Sequence, residues 1–313
     1  MKGINSEFEK LICNSKTKFT VILGSGFHKQ GLKKDTILSS WEMLLRHLSP
    51  NCKLTGEYHL DFEKIIEGKK IPCEDSLETE ERLIQCVQKL ITEEQDKVIA
   101  EHANCYPIYI FNPKKVSDVI SLNFDKIPEL ILKNRDGIQF KENINDSSFS
   151  KLKNKDTKKS ESKDTYAYLS TKHNIVEFND VEKIRFWYPH GNIDSNNKII
   201  LGLHRYSQML EVAIRLRNHH MQHKRSEQED NTWYYRLIQN PVLILGAGLS
   251  STEWDMWFAL TSRNRANGDK LPVFQMRECE CKHDAQHEWF EPIFTGMDFN
   301  EQWTELEKLF KNK

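Results

Sequence analysis

The hydrophobic positions of this chain fall into short apolar runs, helical-period segments and long polar stretches. Phe19 to Leu23 is a β-branched run that stops at Gly24-Ser25-Gly26, and Val242 to Leu245 is a second that stops at Gly246-Ala247-Gly248. Runs this short and this apolar, closed by glycine, predict strands buried on both faces that enter tight turns. Trp41 to Leu48 has helical spacing, and Leu77, Leu83, Ile84, Val87, Leu90, Ile91 and Val98 continue such a period across Asp75 to Glu101. The runs 108–111 (IYIF), 119–124 (VISLNF) and 183–188 (KIRFWY) predict further strands, and the segment from Lys198 reads as strand, turn and amphipathic helix. Ser250, Ser251 and Glu253 supply the acceptors and negative charge of a helix start.

Strands alternating with helices predict an α/β fold, a Rossmann-like parallel sheet with helices on both faces. A single domain over 1–313 is expected, with a helical insertion at 33–105 and a flexible loop at 139–165, where Lys, Asn, Asp and Ser displace nearly every apolar residue.

Charge narrows the partners. Lys and Arg number 45 against 46 Asp and Glu, a net charge of -1, so no global attraction draws the chain to nucleic acid or to a membrane surface. No stretch approaches the roughly 18 consecutive apolar residues of a membrane span. The opening MKGINSEFEKLICNSK lacks a signal-peptide core, and cysteines scattered at 13, 52, 73, 86, 105, 279 and 281 form no disulfide framework, so a reducing cytoplasm is the expected location. A metal at Cys279, Cys281, His283 and His287 has atypical spacing, and no metal is expected.

The candidate chemistry lies at strand ends. A glycine turn between strand and helix lets backbone N–H groups approach phosphate, and both glycine turns are of this kind. The third glycine of GxGxxG would fall on Lys29, which disfavours an ordinary dehydrogenase. Two polar clusters, 121–125 (SLNFD) and 188–192 (YPHGN), end other strands, and an open α/β sheet gathers its ligands at such ends.

The order GSGFHKQGL, SLNFD, YPHGN, LILGAGLSSTEWD, spread over about residues 18 to 260, resembles the sirtuin-like (silent information regulator type) domain, especially its divergent bacterial members in antiphage defence, which cleave NAD. The resemblance implies that Gly24, Ser25 and Gly26, with Phe27 and His28 after them, form the turn under the NAD phosphates; His28 stands where serine is usual, and Gly31 arrives one position early. It implies that Asn123 positions the nicotinamide ribose or a water beside it, with Asp125 completing the motif, and that His190 is the general base. Gly246, Gly248 and Ser250 match the late turn near the adenosine. A deacetylase of this family carries a zinc ribbon of two cysteine pairs, whereas residues 126–245 contain no cysteine, so NAD hydrolysis is the expected activity.

Residue chemistry agrees with these roles: loss of nicotinamide develops oxocarbenium-like charge, an imidazole accepts a proton near neutral pH, and the Asn123 carbonyl oxygen can hold a water or a ribose hydroxyl. NAD is then substrate rather than cofactor. A constitutive NADase would kill its host, so the resemblance also implies control by homo-oligomerisation, by a separate sensor such as an ATPase or argonaute-type partner, or both. A catalytically silent nucleotide-binding subunit and an ADP-ribosyl or acyl transferase are the alternatives.

Overall fold

A computed structural model describes residues 3–69, 76–135, 137–144, 173–179, 181–194, 199–223, 231–249, 253–267, 271–277 and 289–311. The strands, in chain order, are β1 (Gly3–Ile4), β2 (Phe19–Leu23), β3 (Val116–Ser121), β4 (Ile138–Ile144), β5 (His173–Phe178), β6 (Glu182–Trp187), β7 (Val242–Leu245), β8 (Val273–Gln275), β9 (Glu291–Pro292) and β10 (Phe294–Thr295). The helices are α1 (Ser6–Cys13), α2 (Gly26–Leu32), α3 (Trp41–Leu48), α4 (Tyr58–Lys69), α5 (Ser76–His102), α6 (Ile127–Lys133), α7 (Leu203–His223), α8 (Trp233–Gln239), α9 (Trp254–Asn267) and α10 (Phe299–Lys311).

The eight-stranded sheet has the order β4-β5-β6-β3-β2-β7-β8-β9, and every pairing from β6 to β9 is parallel. Alternate residues of its central strands feed two cores. Phe19, Val21, Leu23, Leu243 and Leu245 pack with α1, α3, α4, α5 and α10, while Ile22, Val242 and Ile244 pack with α7, α8 and α9. The fold is therefore a mixed α/β sandwich, mostly parallel at its centre, with apolar runs in β2 and β7 because both faces are covered. No helix of the described residues is long and apolar enough to cross a membrane.

Topology fixes where a ligand can sit. From β2 the chain crosses to β3 on one side, whereas from β7 it crosses to β8 on the other, so the ends of β2 and β7 diverge at a switch point. Both glycine turns lie there.

Four expectations are corrected. The sheet is not wholly parallel, since β5 runs antiparallel to both its neighbours, β6 and β4, at one edge. Residues 139–144 of the expected loop belong to β4, where half-buried Ile138 and Phe140 alternate with exposed Gln139 and Lys141 before the register shifts ahead of Ile144, and the Lys126 and Lys133 ammonium groups lie over the Phe140 ring; residues 145–165 lie outside the described residues. Ile108–Ile110 is a 3₁₀ turn rather than a strand, bracketed by Pro107 and Pro113. Ile199 to Leu201 extends no sheet either: the Ile200 N–H donates to the His190 carbonyl at 2.7 Å, and the run pins the turn that carries His190.

Candidate functional site

The two glycine turns hold each other. Gly26 N–H donates to Gly246 O at 2.8 Å and Gly24 N–H to Leu245 O at 3.0 Å. A Cβ on Gly24 would lie 2.6 Å from Ala247 Cα, and one on Gly246 would lie 2.6 Å from the Phe27 nitrogen. Gly246 also has φ +64°, a left-handed conformation that disfavours any side chain. The glycines thus serve a backbone-on-backbone seam, and the N–H groups of Gly24 and Gly26 are spent within it rather than offered to a phosphate. Phe27 and His28, expected beside the nucleotide, are both wholly buried. Phe27 is a core ring against Tyr106, Phe111 and Trp303, because α2 turns its first residues inward.

His28 anchors the first of two similar buried chains. Its Nε2 lies 2.8 Å from Asp125 and its Nδ1 3.1 Å from the Tyr106 hydroxyl. A carboxylate only accepts, so Nε2–H donates to Asp125 and the tyrosine donates to Nδ1. Asp125 also accepts the Ile127 N–H at 3.0 Å and so holds the start of α6. The Asn123 amide lies 3.2 Å from the same Nε2. It is the Nδ2 that faces the ring, which leaves the carbonyl oxygen for a ligand.

His190 anchors the second chain at the end of β6, where Gly191 takes φ +78° and its N–H closes on Tyr188 O at 3.0 Å. The His190 Nε2 lies 2.8 Å from Asp255 in the first turn of α9, and its Nδ1 lies 3.3 Å from the Tyr206 hydroxyl. Burial works against its charged form, but the Asp255 carboxylate, through charge and hydrogen bond, and Glu253 outweigh it, and the pKa rises above the ordinary 6.5. Burial, with Glu253 and Asp255, pushes the Tyr206 phenol well above its usual range, which keeps its proton available to His190.

Between the chains lies a cleft of about 720 Å³ whose wall includes Gly24, Ser25, Gly248, Asn123, Tyr58, His59, Tyr206 and Glu253. A smaller recess of about 380 Å³ adjoins it, shares Ser25, Trp41, Leu122 and Asn123, and reaches Asp125. Among the described lining residues there are two carboxylates, Asp125 and Glu253, and no lysine or arginine. Of the residues expected at the site, Gly24, Ser25, Gly248, Asn123 and Asp125 reach this space; Gly26, Phe27, His28, Gly246 and His190 stand behind it, and Ser250 lies outside the described residues.

Tyr206, Asp255 and His59 carried no signal in the sequence. Tyr206 belongs to an unremarkable amphipathic helix, and Asp255 reads as an ordinary acidic residue of a helix start. His59 comes from α4, far from any glycine turn. The preceding loop is latched onto Asp61, which accepts from Thr55 N at 2.8 Å and Gly56 N at 3.1 Å. The His59 ring then rests on Tyr206, centroids 3.8 Å apart, with its other contact at Trp41, 5.3 Å away. Burial, with His190 beside it and Asp255 only partly compensating, lowers its pKa from 6.5 to about 4.

No group of three or more metal-ligating side chains occurs among the described residues, and the cysteine–histidine cluster from Cys279 lies outside them. No protein-family model matches the chain, and no curated protein matches it.

Proposed function

We propose that this chain is an NAD glycohydrolase that cleaves the nicotinamide–ribosyl bond of NAD to nicotinamide and ADP-ribose. The observation that carries this reading is the convergence of Asn123 and the Tyr206–His190–Asp255 chain on one cleft at the switch point of a parallel sheet. When nicotinamide leaves with the bonding electron pair, C1′ of the ribose becomes oxocarbenium-like, and a water must be held and relieved of a proton as it attacks. His190 stands behind Tyr206, so it acts as base through it: the tyrosine oxygen takes the proton of the water while the tyrosine passes its own to His190 Nδ1. Asp255 pairs with the imidazolium that results. The Asn123 carbonyl oxygen orients the water or a ribose hydroxyl, and Asp125 holds the His28 ring beside the amide nitrogen. The step as drawn uses no metal. Its biological use would be depletion of NAD in antiphage defence, switched on by self-assembly or by a separate sensor or ATPase partner.

The closed glycine seam favours a second reading, a silent nucleotide-binding subunit, because a phosphate cannot use the Gly26 N–H while Gly246 holds it. An ADP-ribosyl or acyl transferase would release nicotinamide only when an acceptor is supplied. Chromatographic assay of nicotinamide release from NAD, by wild type, His190→Ala and Asn123→Ala at several protein concentrations, separates the readings. Hydrolysis predicts release without acceptor by the wild type alone; nucleotide binding with no release under any condition favours the silent subunit.

A further inference from the structure

The hydrolytic reading leaves open what holds the nucleophile. Three imidazoles stand at or behind the cleft, and two are fully committed: His28 to Asp125 and Tyr106, His190 to Asp255 and Tyr206. The third, His59, lines the cleft itself, is only 3% exposed, and its buried Nδ1 has no hydrogen-bond partner among the described residues. A buried imidazole nitrogen without a partner is costly unless a ligand or a held water satisfies it. The ring also lies against Tyr206, where the proton route to His190 begins.

We propose that His59 is the residue that positions the attacking water, accepting one of its hydrogens at Nδ1 while the other points to Tyr206. This rests on the hydrolytic reading. The water oxygen bonds to C1′ as the C1′–N bond breaks toward nicotinamide, and its second proton passes through Tyr206 to His190; His59 gains no proton. A neutral imidazole suits this place, since a charged one would repel the cation forming at C1′, and burial keeps His59 uncharged near neutral pH.

The test compares His59→Phe, which keeps a ring without an acceptor, with His59→Asn, whose carboxamide oxygen falls near the position of Nδ1. We expect kcat for nicotinamide release to fall about 10- to 100-fold in His59→Phe with KM little changed, and His59→Asn to recover most of it, both remaining folded by circular dichroism. A merely structural role would predict equal loss in the two variants, or loss in KM, and either result overturns the assignment, as does full activity in His59→Phe. A wild type that releases no nicotinamide with or without its partners overturns the hydrolytic reading and this assignment together, whereas an active wild type with an unimpaired His59→Phe overturns the assignment alone.

Discussion

Gly246→Ala tests the seam between the two glycine turns. An added methyl group would sit 2.6 Å from the Phe27 nitrogen and 2.8 Å from Gly26 C, both backbone atoms that no rotamer change can move aside. It would also force alanine into a left-handed conformation at φ +64°. The conformational cost is about 1–2 kcal/mol and the displacement of packed backbone about 1–3 kcal/mol, so the loss of stability is about 2–5 kcal/mol. Gly248→Ala is the control: it lies one residue beyond Ala247, is exposed, and its added methyl group meets nothing within 4 Å. Its effect is expected within about 0.5 kcal/mol. Urea denaturation of the two variants and the wild type, with equal slopes as the condition for comparison, measures both. A Gly246→Ala loss under about 1 kcal/mol, or no larger than that of Gly248→Ala, would refute the interlocked geometry.

Three further predictions concern pH. The folded-state pKa of His59 is depressed from 6.5 to about 4, so the ring contributes stability that is full above pH 6.5 and lost as pH falls through about 4; His59→Phe should remove about 3 kcal/mol of acid sensitivity across that window in denaturant titrations. His190 is shifted the other way, above 6.5, so the advantage of wild type over Asp255→Asn should be greatest below pH 6.5 and shrink as pH rises through the raised value; an advantage that grows with pH would be incompatible with the pair. Glu129, buried beside Lys126 and Asn174, is raised by burial from 4.5 to about 8 despite both neighbours, so the folded state binds the extra proton and stability falls as pH rises between those values. Glu129→Gln should flatten that slope, which stability curves from pH 5 to 8 would reveal.

The central strands were legible because their chemistry is uniform: Val21 and Ile22, or Leu243 and Ile244, are apolar in succession since each neighbour faces a different core. The edge of the sheet was not. β4 hides its alternation among lysines and glutamates that an edge strand tolerates on its outer face, and β5 sits beside a long polar stretch. At the site, the polar strand ends and the family resemblance pointed to Asn123, Asp125 and His190, of which the first two reach the cleft and the third stands behind Tyr206. Motif spacing could not tell a glycine that meets a ligand from one that meets another loop, as Gly26 and Gly246 meet each other. Nor could any local pattern find His59 or Tyr206, whose contact joins residues far apart in the chain and depends on how α4 and α7 pack.

The lining of the cleft has a consequence for what can enter it. Asp125 and Glu253 lie on its wall, Asp255 stands just behind, and the described lining includes no lysine or arginine. Such a space sorts molecules by sign before it sorts them by shape. A planar cation is drawn inward and its charge stabilised, while each added phosphate raises the cost of entry. A dinucleotide carrying a pyridinium ring would therefore lie with that ring toward the carboxylates and its phosphates toward solvent, and the same molecule stripped of its cationic ring would be held less firmly. Leaving of the neutral ring would then loosen the grip on what remains, so that cleavage itself hastens the emptying of the cleft.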